Sequence, residues 1–227
     1  MQNHSTILVV IAALNEEEGI GPTLKELQAV LRDPYLIVVD GKSVDSTIEI
    51  ANNMGANVLS QEGKGKGDAL FQGFKRLKSD IEYVVFTDAD FTYPAEYIPA
   101  MLDILEQNPD VGMVTGNRFN THFKFRTMKN SFYIGNRVLA TAQLLLNGIS
   151  LKDPLTGLRA LRMSILQNWE PKSSGFDIEV EINHRVENMG YKIVEIPIQY
   201  RCRLGAKKLK LRHGMMILRR IISESLK

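Results

Sequence analysis

The chain alternates short apolar runs with amphipathic segments. Residues 6–12 (TILVVIA) form a continuous β-branched run, as in a strand buried on both faces. After Asn15-Glu16-Glu17-Glu18, the apolar positions Ile20, Leu24, Leu27 and Leu31 keep a helical period. The acids sit where a helix dipole favours them, and Asp33-Pro34 breaks the pattern. Residues 36–39 read as a second strand ending at Asp40-Gly41. Residues 43–54 read as a helix that Ser43 or Asp45 caps and Gly55 stops. A short third strand is expected over 57–60, a Gly-Lys loop over 63–67, and a helix over 68–77. The fourth strand, 83–87, runs into Asp88-Ala89-Asp90; Tyr93-Pro94 opens a helix to about residue 106, and 111–115 is a fifth strand.

This βαβαβ rhythm predicts an α/β fold: an open, mostly parallel sheet with helices on both faces. Such sheets bind ligands beyond the carboxyl ends of their strands. The polar clusters at 15–18, 40–43 and 88–90 all fall at such ends. The second half is less regular. Residues 119–130 (FNTHFKFRTMKN), polar, basic and aromatic, read as a mobile loop, and 131–146 as a helix. Residues 153–161 and 193–200 read as strands with their approaches, and 178–189 as a helix ended by Gly190. Residues 214–226 carry Met215, Leu218, Ile222 and Leu226 at helical spacing beside Arg219 and Arg220. There is no internal repeat or linker.

Composition narrows the class. The chain has 227 residues, 44% hydrophobic and 24% charged, which excludes disordered, collagen-like and disulfide-rich proteins. The single cysteine, Cys202, cannot form an internal disulfide and fits a reducing compartment; a buried or half-buried thiol is expected. No apolar run reaches the roughly 18 residues of a membrane span, and the start lacks a signal-peptide layout. Net charge is +2, but residues 201–227 hold nine Lys/Arg against Glu224 alone, while the first 200 hold nineteen against twenty-five acids. A basic end on an acidic body is either a solvated tail or a contact for an anionic partner.

Asp88 and Asp90 alternate in an extended segment and so face one side. They are either a ligand pair for a hard divalent cation or a turn with two solvated acids. The remaining His residues lack metal-ligand spacing, and Trp169 reads as packing. GKGKG suggests a phosphate loop, although it is not a Walker pattern.

The ordered set NEEEGI, DGKSVDST, GKGKGDAL and TDADFTYP resembles the inverting glycosyltransferase family 2 with its GT-A fold, and in particular the polyprenol-phosphate sugar transferases. The resemblance continues through Gly116-Asn117-Arg118-Phe119, Gly135-Asn136, DPLTGLR at 153–159 and YRCRLGAKKL at 200–209. It implies a Rossmann-like nucleotide half (1–115), an acceptor half (116–210) and a basic amphipathic C-terminal helix (211–227) of one domain. By resemblance, Ala12, Leu14, Asn15 and Glu16 border base and ribose, with Ala12 in the place of a usual proline. Asp40, beside Ser43, contacts the base or ribose edge, and Lys66, Gly67 and Asp68 sit beside the nucleotide. Asp88, with Ala89, lies over ribose and sugar, and Asp90 is the principal ligand for Mg2+ or Mn2+. Thr92 stands where mannose synthases have a metal-reaching Gln. Arg118 grips the acceptor phosphate, with Arg126 and Lys129 in the acceptor loop; Arg203 and Lys208 close over the diphosphate. Asp153 is either a general base, which a sugar-hydroxyl acceptor would require, or an acid that orients Arg118, Arg159 or the loop.

The expected activity is transfer of one sugar from UDP-GlcNAc, UDP-glucose or GDP-mannose to a polyprenyl or dolichyl phosphate, with a lean toward a UDP-sugar. The expected place is the cytoplasmic face of a membrane, touched directly or through an anchoring subunit; nucleic acid is not an expected partner. The alternatives are a family 2 enzyme with a sugar-hydroxyl acceptor, a sugar-nucleotide nucleotidyltransferase, and a non-catalytic nucleotide-binding module.

Overall fold

The structure, a computed structural model, describes residues 6–75, 80–119, 131–206, 208 and 212–226. Among them, β1 (Thr6–Ala13), β2 (Tyr35–Asp40), β3 (Asn57–Ser60), β4 (Ile81–Asp88), β5 (Val111–Asn117), β6 (Arg159–Arg162) and β7 (Lys192–Pro197) form one sheet in the order β3-β2-β1-β4-β6-β5-β7. All pairings are parallel except those of β6, which runs antiparallel between β4 and β5. The expected mostly parallel α/β sheet is therefore present.

Helices α1 (Glu17–Val30), α2 (Thr47–Asn53), α3 (Lys66–Lys75), α4 (Ile98–Gln107), α5 (Ser131–Asn147), α6 (Met163–Leu166), α7 (Ile178–Asn188) and α8 (Arg212–Glu224) surround it. Period-2 alternation explains the two layers. Val9 and Ile11 face a core shared with Leu24 of α1 and Met101 of α4. Leu8 and Val10 face the opposite core, with Phe74 of α3 and Ile182 of α7. Trp169 packs flat on Phe74, centroids 6.0 Å apart, as its packing assignment requires. A third, small cluster joins Leu139 of α5, Val180 of α7 and Ile217 and Ile221 of α8.

Local chemistry shifts several boundaries. α2 begins at Thr47 rather than near Ser43, because Asp45 Oδ1 accepts the Thr47 N–H at 3.0 Å while the Ser43 hydroxyl is engaged by Asn15. The helix after Pro94 starts as a 3-10 turn (Ala95–Tyr97) before α4. The four-residue α6 has too short a pattern to be read from periodicity. Residues 120–130, read as a mobile loop, lie outside the described residues.

Candidate active site

The carboxyl ends of β1, β2 and β4 lie side by side, and each leaves its strand through a non-glycine residue in the left-handed region: Asn15 (φ 49°), Lys42 (φ 71°) and Phe91 (φ 64°). Such backbone persists only where surrounding contacts over-determine it, and it clusters at ligand sites. Here those contacts run between neighbouring loops. The Asn15 N–H donates to Ser43 Oγ and the Val44 N–H to Asn15 Oδ1, both at 2.8 Å. Asp40 Oδ2 accepts the N–H groups of Lys42 and Ser43 at 2.9 Å.

At the end of β4, Asp90 is buried, and its Oδ1 accepts from the Thr92 hydroxyl at 2.6 Å and the Thr92 N–H at 3.2 Å. Burial and the neighbouring charge of Asp88 push the Asp90 carboxyl above its ordinary range. Asp88 is more open, and its Oδ1 lies 2.7 Å from Lys66 Nζ, which also meets Glu179 Oε1 at 2.9 Å. Burial opposes the Lys66 charge, but Asp88 and Glu179 outweigh it and hold the ammonium protonated well above its usual range.

Two carboxylates at one corner, with Asp90 raised by burial and by the charge of Asp88, suit a divalent cation. The space beside them is kept clear by Gly157, where a Cβ would fall 2.7 Å from Asp88 Oδ2. Among the described residues no group of three or more His, Cys, Asp or Glu could hold a metal. A cation here would thus take Asp88 and Asp90 and draw its other ligands from substrate oxygens and water, as magnesium and manganese commonly do.

Cations come from the other half of the chain. The segment after β7 crosses the β4 loop: Arg201 N–H donates to Thr92 O at 3.0 Å and Leu204 N–H to Asp90 O at 3.1 Å. This sets Arg203 Nη2 2.8 Å from both Glu16 oxygens and Nη1 3.5 Å from Asp90 Oδ2. Lys208 Nζ donates to Glu16 Oε1 at 2.6 Å and to Asn15 O at 2.7 Å. Arg118, past the end of β5, donates through Nε and Nη2 to the two oxygens of Asp153, both at 2.7 Å. Its guanidinium also lies 5.3 Å and 5.4 Å from the ring centres of Phe119 and Tyr200.

These groups surround one cavity of about 1070 Å³. Of the residues singled out from sequence, Ala12, Leu14, Glu16, Lys66, Asp88 and Ala89 line it, as do Asp90, Thr92, Arg118, Arg203 and Lys208. Asn15, Asp40, Ser43, Gly67, Asp68 and Asp153 do not line it. Asp68 Oδ2 is occupied by the side-chain amides of Gln61 and Gln72, at 2.7 and 2.8 Å. The phosphate-loop reading of GKGKG is corrected in one respect. The Gly67 and Asp68 N–H groups donate to the Gly175 and Ser174 carbonyls at 3.2 Å, and a Cβ on Gly67 would sit 2.3 Å from Ser173 O. Gly67 thus serves close backbone packing rather than an amide cradle, while Gly63, Lys64, Gly65 and Lys66 line the cavity. Asp153 has no exposed surface and gives both oxygens to Arg118, whereas the Arg159 Nε donates to Thr156 O at 2.9 Å. Cys202 is exposed, not buried or half-buried as expected. Arg126 and Lys129 lie outside the described residues.

Among the cavity residues given no role from sequence are Glu179 on α7, Asn136 on α5, which belongs to the Gly135-Asn136 motif, and Tyr93, whose hydroxyl accepts the Gly157 N–H at 2.7 Å. The available signal for Glu179 was its position beside the apolar stripe Ile178, Ile182 and Val186, where a buried acid needs a partner.

The fold is of the GT-A type. The description "Glycosyl transferase family 2" matches residues 8–169, and the chain belongs to that family. It is 37% identical to the dolichyl-phosphate hexose transferase of Haloferax volcanii, over 89% of this chain and 86% of that one. It is 27% identical to the dolichol-phosphate mannosyltransferase of Pyrococcus furiosus, over 90% of this chain but only 59% of that one. It likewise spans only half of the Haloferax low-salt glycan biosynthesis hexosyltransferase Agl6, at 30% identity. Among solved structures, glucosyl-3-phosphoglycerate synthase from Mycobacterium tuberculosis in complex with uridine diphosphate superposes with a TM-score of 0.77 at 23% identity, over 97% of this chain and 80% of that one, a likeness of fold. The same synthase has been crystallised with Mn2+, UDP-glucose and phosphoglyceric acid.

Proposed function

We propose that this protein is an inverting, metal-dependent hexosyltransferase that moves one sugar from a UDP- or GDP-linked donor to a polyprenyl or dolichyl phosphate. The observation that carries the reading is the meeting, around one cavity, of Asp88 and Asp90 with Arg118, Arg203 and Lys208. Acids on one side suit a cation; guanidinium and ammonium groups on the other suit phosphate oxygens. The lipid-phosphate transferases among the relatives support the acceptor.

Base and ribose would lie against the β1 and β2 loops, Ala12 to Glu16 with Gly41 and Lys42. Asp88 and Asp90 would hold Mg2+ or Mn2+, which supplies positive charge for the departing diphosphate. Arg203 and Lys208 would exchange Glu16 for diphosphate oxygens and so stabilise the charge that builds there. Thr92 would fix Asp90 through its hydroxyl. Arg118, oriented by Asp153, would place the acceptor phosphate in line with the anomeric carbon. An anionic phosphate oxygen forms the new C–O bond as the bond to the nucleoside diphosphate breaks, the electron pair leaving with the diphosphate and the configuration inverting. No proton has to be removed from a phosphate acceptor whose second pKa lies around 6. That agrees with an Asp153 whose oxygens are both taken by Arg118.

No helix among the described residues is long and apolar enough to cross a membrane. Membrane contact would instead use α8, which turns Ile217 and Ile221 into the core and leaves Met215 71% exposed, with Leu226 just past its end 82% exposed. Beside it, α5 exposes Ile134, Val138 and Leu145. Such a face suits contact with an anionic membrane surface on the cytoplasmic side, directly or with an anchoring subunit.

The test is a detergent assay with UDP-glucose, UDP-GlcNAc or GDP-mannose, Mn2+ and undecaprenyl or dolichyl phosphate. The expected product is a lipid-linked monosaccharide of inverted anomeric configuration with release of the nucleoside diphosphate. Transfer only to sugar hydroxyls, with lipid phosphate inert, would overturn the acceptor assignment.

A further inference from the structure

We infer that Glu179 and Asn136 form the recognition pocket for the hydroxyl groups of the transferred sugar, and that Glu179 restricts the donor to neutral hexoses by excluding uronic acids. The inference rests on the glycosyl-transfer reading and names the substrate class of the same cavity.

Glu179 is the second residue of α7, is 4% exposed, and lines the cavity. Its Oε1 is held 2.9 Å from Lys66 Nζ, whose other partner is Asp88 Oδ1 at 2.7 Å, so one ammonium group links it to the carboxylate corner. Its Oε2 is buried and has no hydrogen-bond partner among the described residues. Asn136, also buried and also lining the cavity, leaves both the nitrogen and the oxygen of its side-chain amide without a partner. Their helices pack together, since Leu139, a turn along α5 from Asn136, clusters with Val180, which follows Glu179 on α7. Two unpaired acceptors and an unpaired amide donor thus sit in the wall of a cavity whose other charged groups already have partners. Cations Arg118, Arg203 and Lys208 suit phosphates, and the β1 and β2 loops suit base and ribose. What remains is a ligand portion that both donates and accepts hydrogen bonds, which is the chemistry of sugar hydroxyls.

A site whose buried polar groups need a substrate hydroxyl discriminates strongly against analogues that cannot supply it. The sign of the charge adds a second filter. Lys66 is already shared by two carboxylates, so a uronate carboxylate brought against Glu179 meets an uncompensated like charge.

The experiment is isothermal titration, with Mn2+ present, of UDP, GDP, UDP-glucose, UDP-GlcNAc, GDP-mannose and UDP-glucuronate against the full chain and its Glu179→Gln and Asn136→Ala variants, each checked by thermal melting. The parent is expected to bind a neutral sugar nucleotide at least about tenfold more tightly than the uronate. Glu179→Gln is expected to shrink that preference below about threefold while leaving the affinity for the free nucleoside diphosphate within about twofold. Should Glu179→Gln fail to fold, Asn136→Ala, which leaves the Lys66 pairs intact, is expected to lose about tenfold for the hexose nucleotide and nothing for the free diphosphate. Equal binding of uronate and hexose by the parent, or variants that weaken sugar nucleotide and free diphosphate alike, would overturn the inference. If neither diphosphates nor sugar nucleotides bind the parent, the glycosyl-transfer reading itself falls, and this inference with it.

Discussion

Arg118 and Arg203 both reach the cavity from the second half of the chain, yet they are held in opposite ways. Arg118 is clamped through two bonds by Asp153, an acid with no exposed surface that does not line the cavity. Burial disfavours its charge, but Asp153 outweighs that and fixes it as a cation. Arg203 is held by Glu16, which lines the cavity itself, and Lys208 leans on the same carboxylate. One guanidinium is locked by a buried acid; the other is tethered by an anion standing where a ligand's anion can replace it. The contrast matches a fixed acceptor grip and a strap that exchanges partners when a diphosphate arrives.

The largest expected effect comes from breaking the locked pair. Arg118→Ala leaves Asp153 buried without a cation, keeping only the N–H of residue 118 on its Oδ2, and a loss of about 3–5 kcal/mol in unfolding free energy is expected, read by urea denaturation. A loss under about 1 kcal/mol would show that Asp153 has another partner. Next, Arg203→Ala should leave stability nearly unchanged and lower kcat by about 100-fold, or roughly 2.7 kcal/mol of transition-state stabilisation, read in the lipid-phosphate assay. A smaller change comes from Glu16→Gln, which frees the strap: Glu16 is buried, but its partners Arg203 and Lys208 stay partly exposed, so stability should move by no more than about 1 kcal/mol, and melting measurements check it. A drop as large as that of Arg118→Ala would erase the distinction between the two cations.

The smallest effect concerns the support behind the lock. Glu195 accepts the N–H groups of Lys152 and Asp153 at 2.8 Å, and burial pushes its carboxyl above the usual range. A carboxyl raised in the folded state loses its proton first in the unfolded chain. Its contribution to stability is therefore full below the ordinary Glu value of about 4.3 and declines as pH rises through the raised folded value. Glu195→Gln should flatten that part of the profile of melting temperature against pH; an unaltered slope would assign it to another group.

How far all this was legible in the sequence follows from what each residue's role depends on. The strand ends at Ala12, Asp40 and Asp88 were readable because a continuous apolar run followed by polar residues has one meaning in a parallel sheet. Asp88, Asp90, Arg118 and Arg203 could be singled out because ordered motifs mark them. The partners could not. Nothing local says that Glu16 meets Arg203 across 187 positions, or that Lys66 spans to Glu179. Those contacts arise when the sheet order brings the β1, β4 and β7 loops together. Gly67 shows the same limit: Gly-Lys repetition suits a phosphate loop and a close backbone crossing equally well, and only the carbonyls of Ser173 and Ser174 decide.

A cation-assisted diphosphate at Asp88 and Asp90 is measured by calorimetric titration of UDP and GDP into the parent and into Asp90→Asn, each with and without MnCl2. The expected result is that Mn2+ tightens binding of at least one nucleotide to the parent by about tenfold or more and leaves Asp90→Asn unaffected. Nucleotide affinity that is the same with and without the metal, or a metal effect that survives in Asp90→Asn, would contradict it.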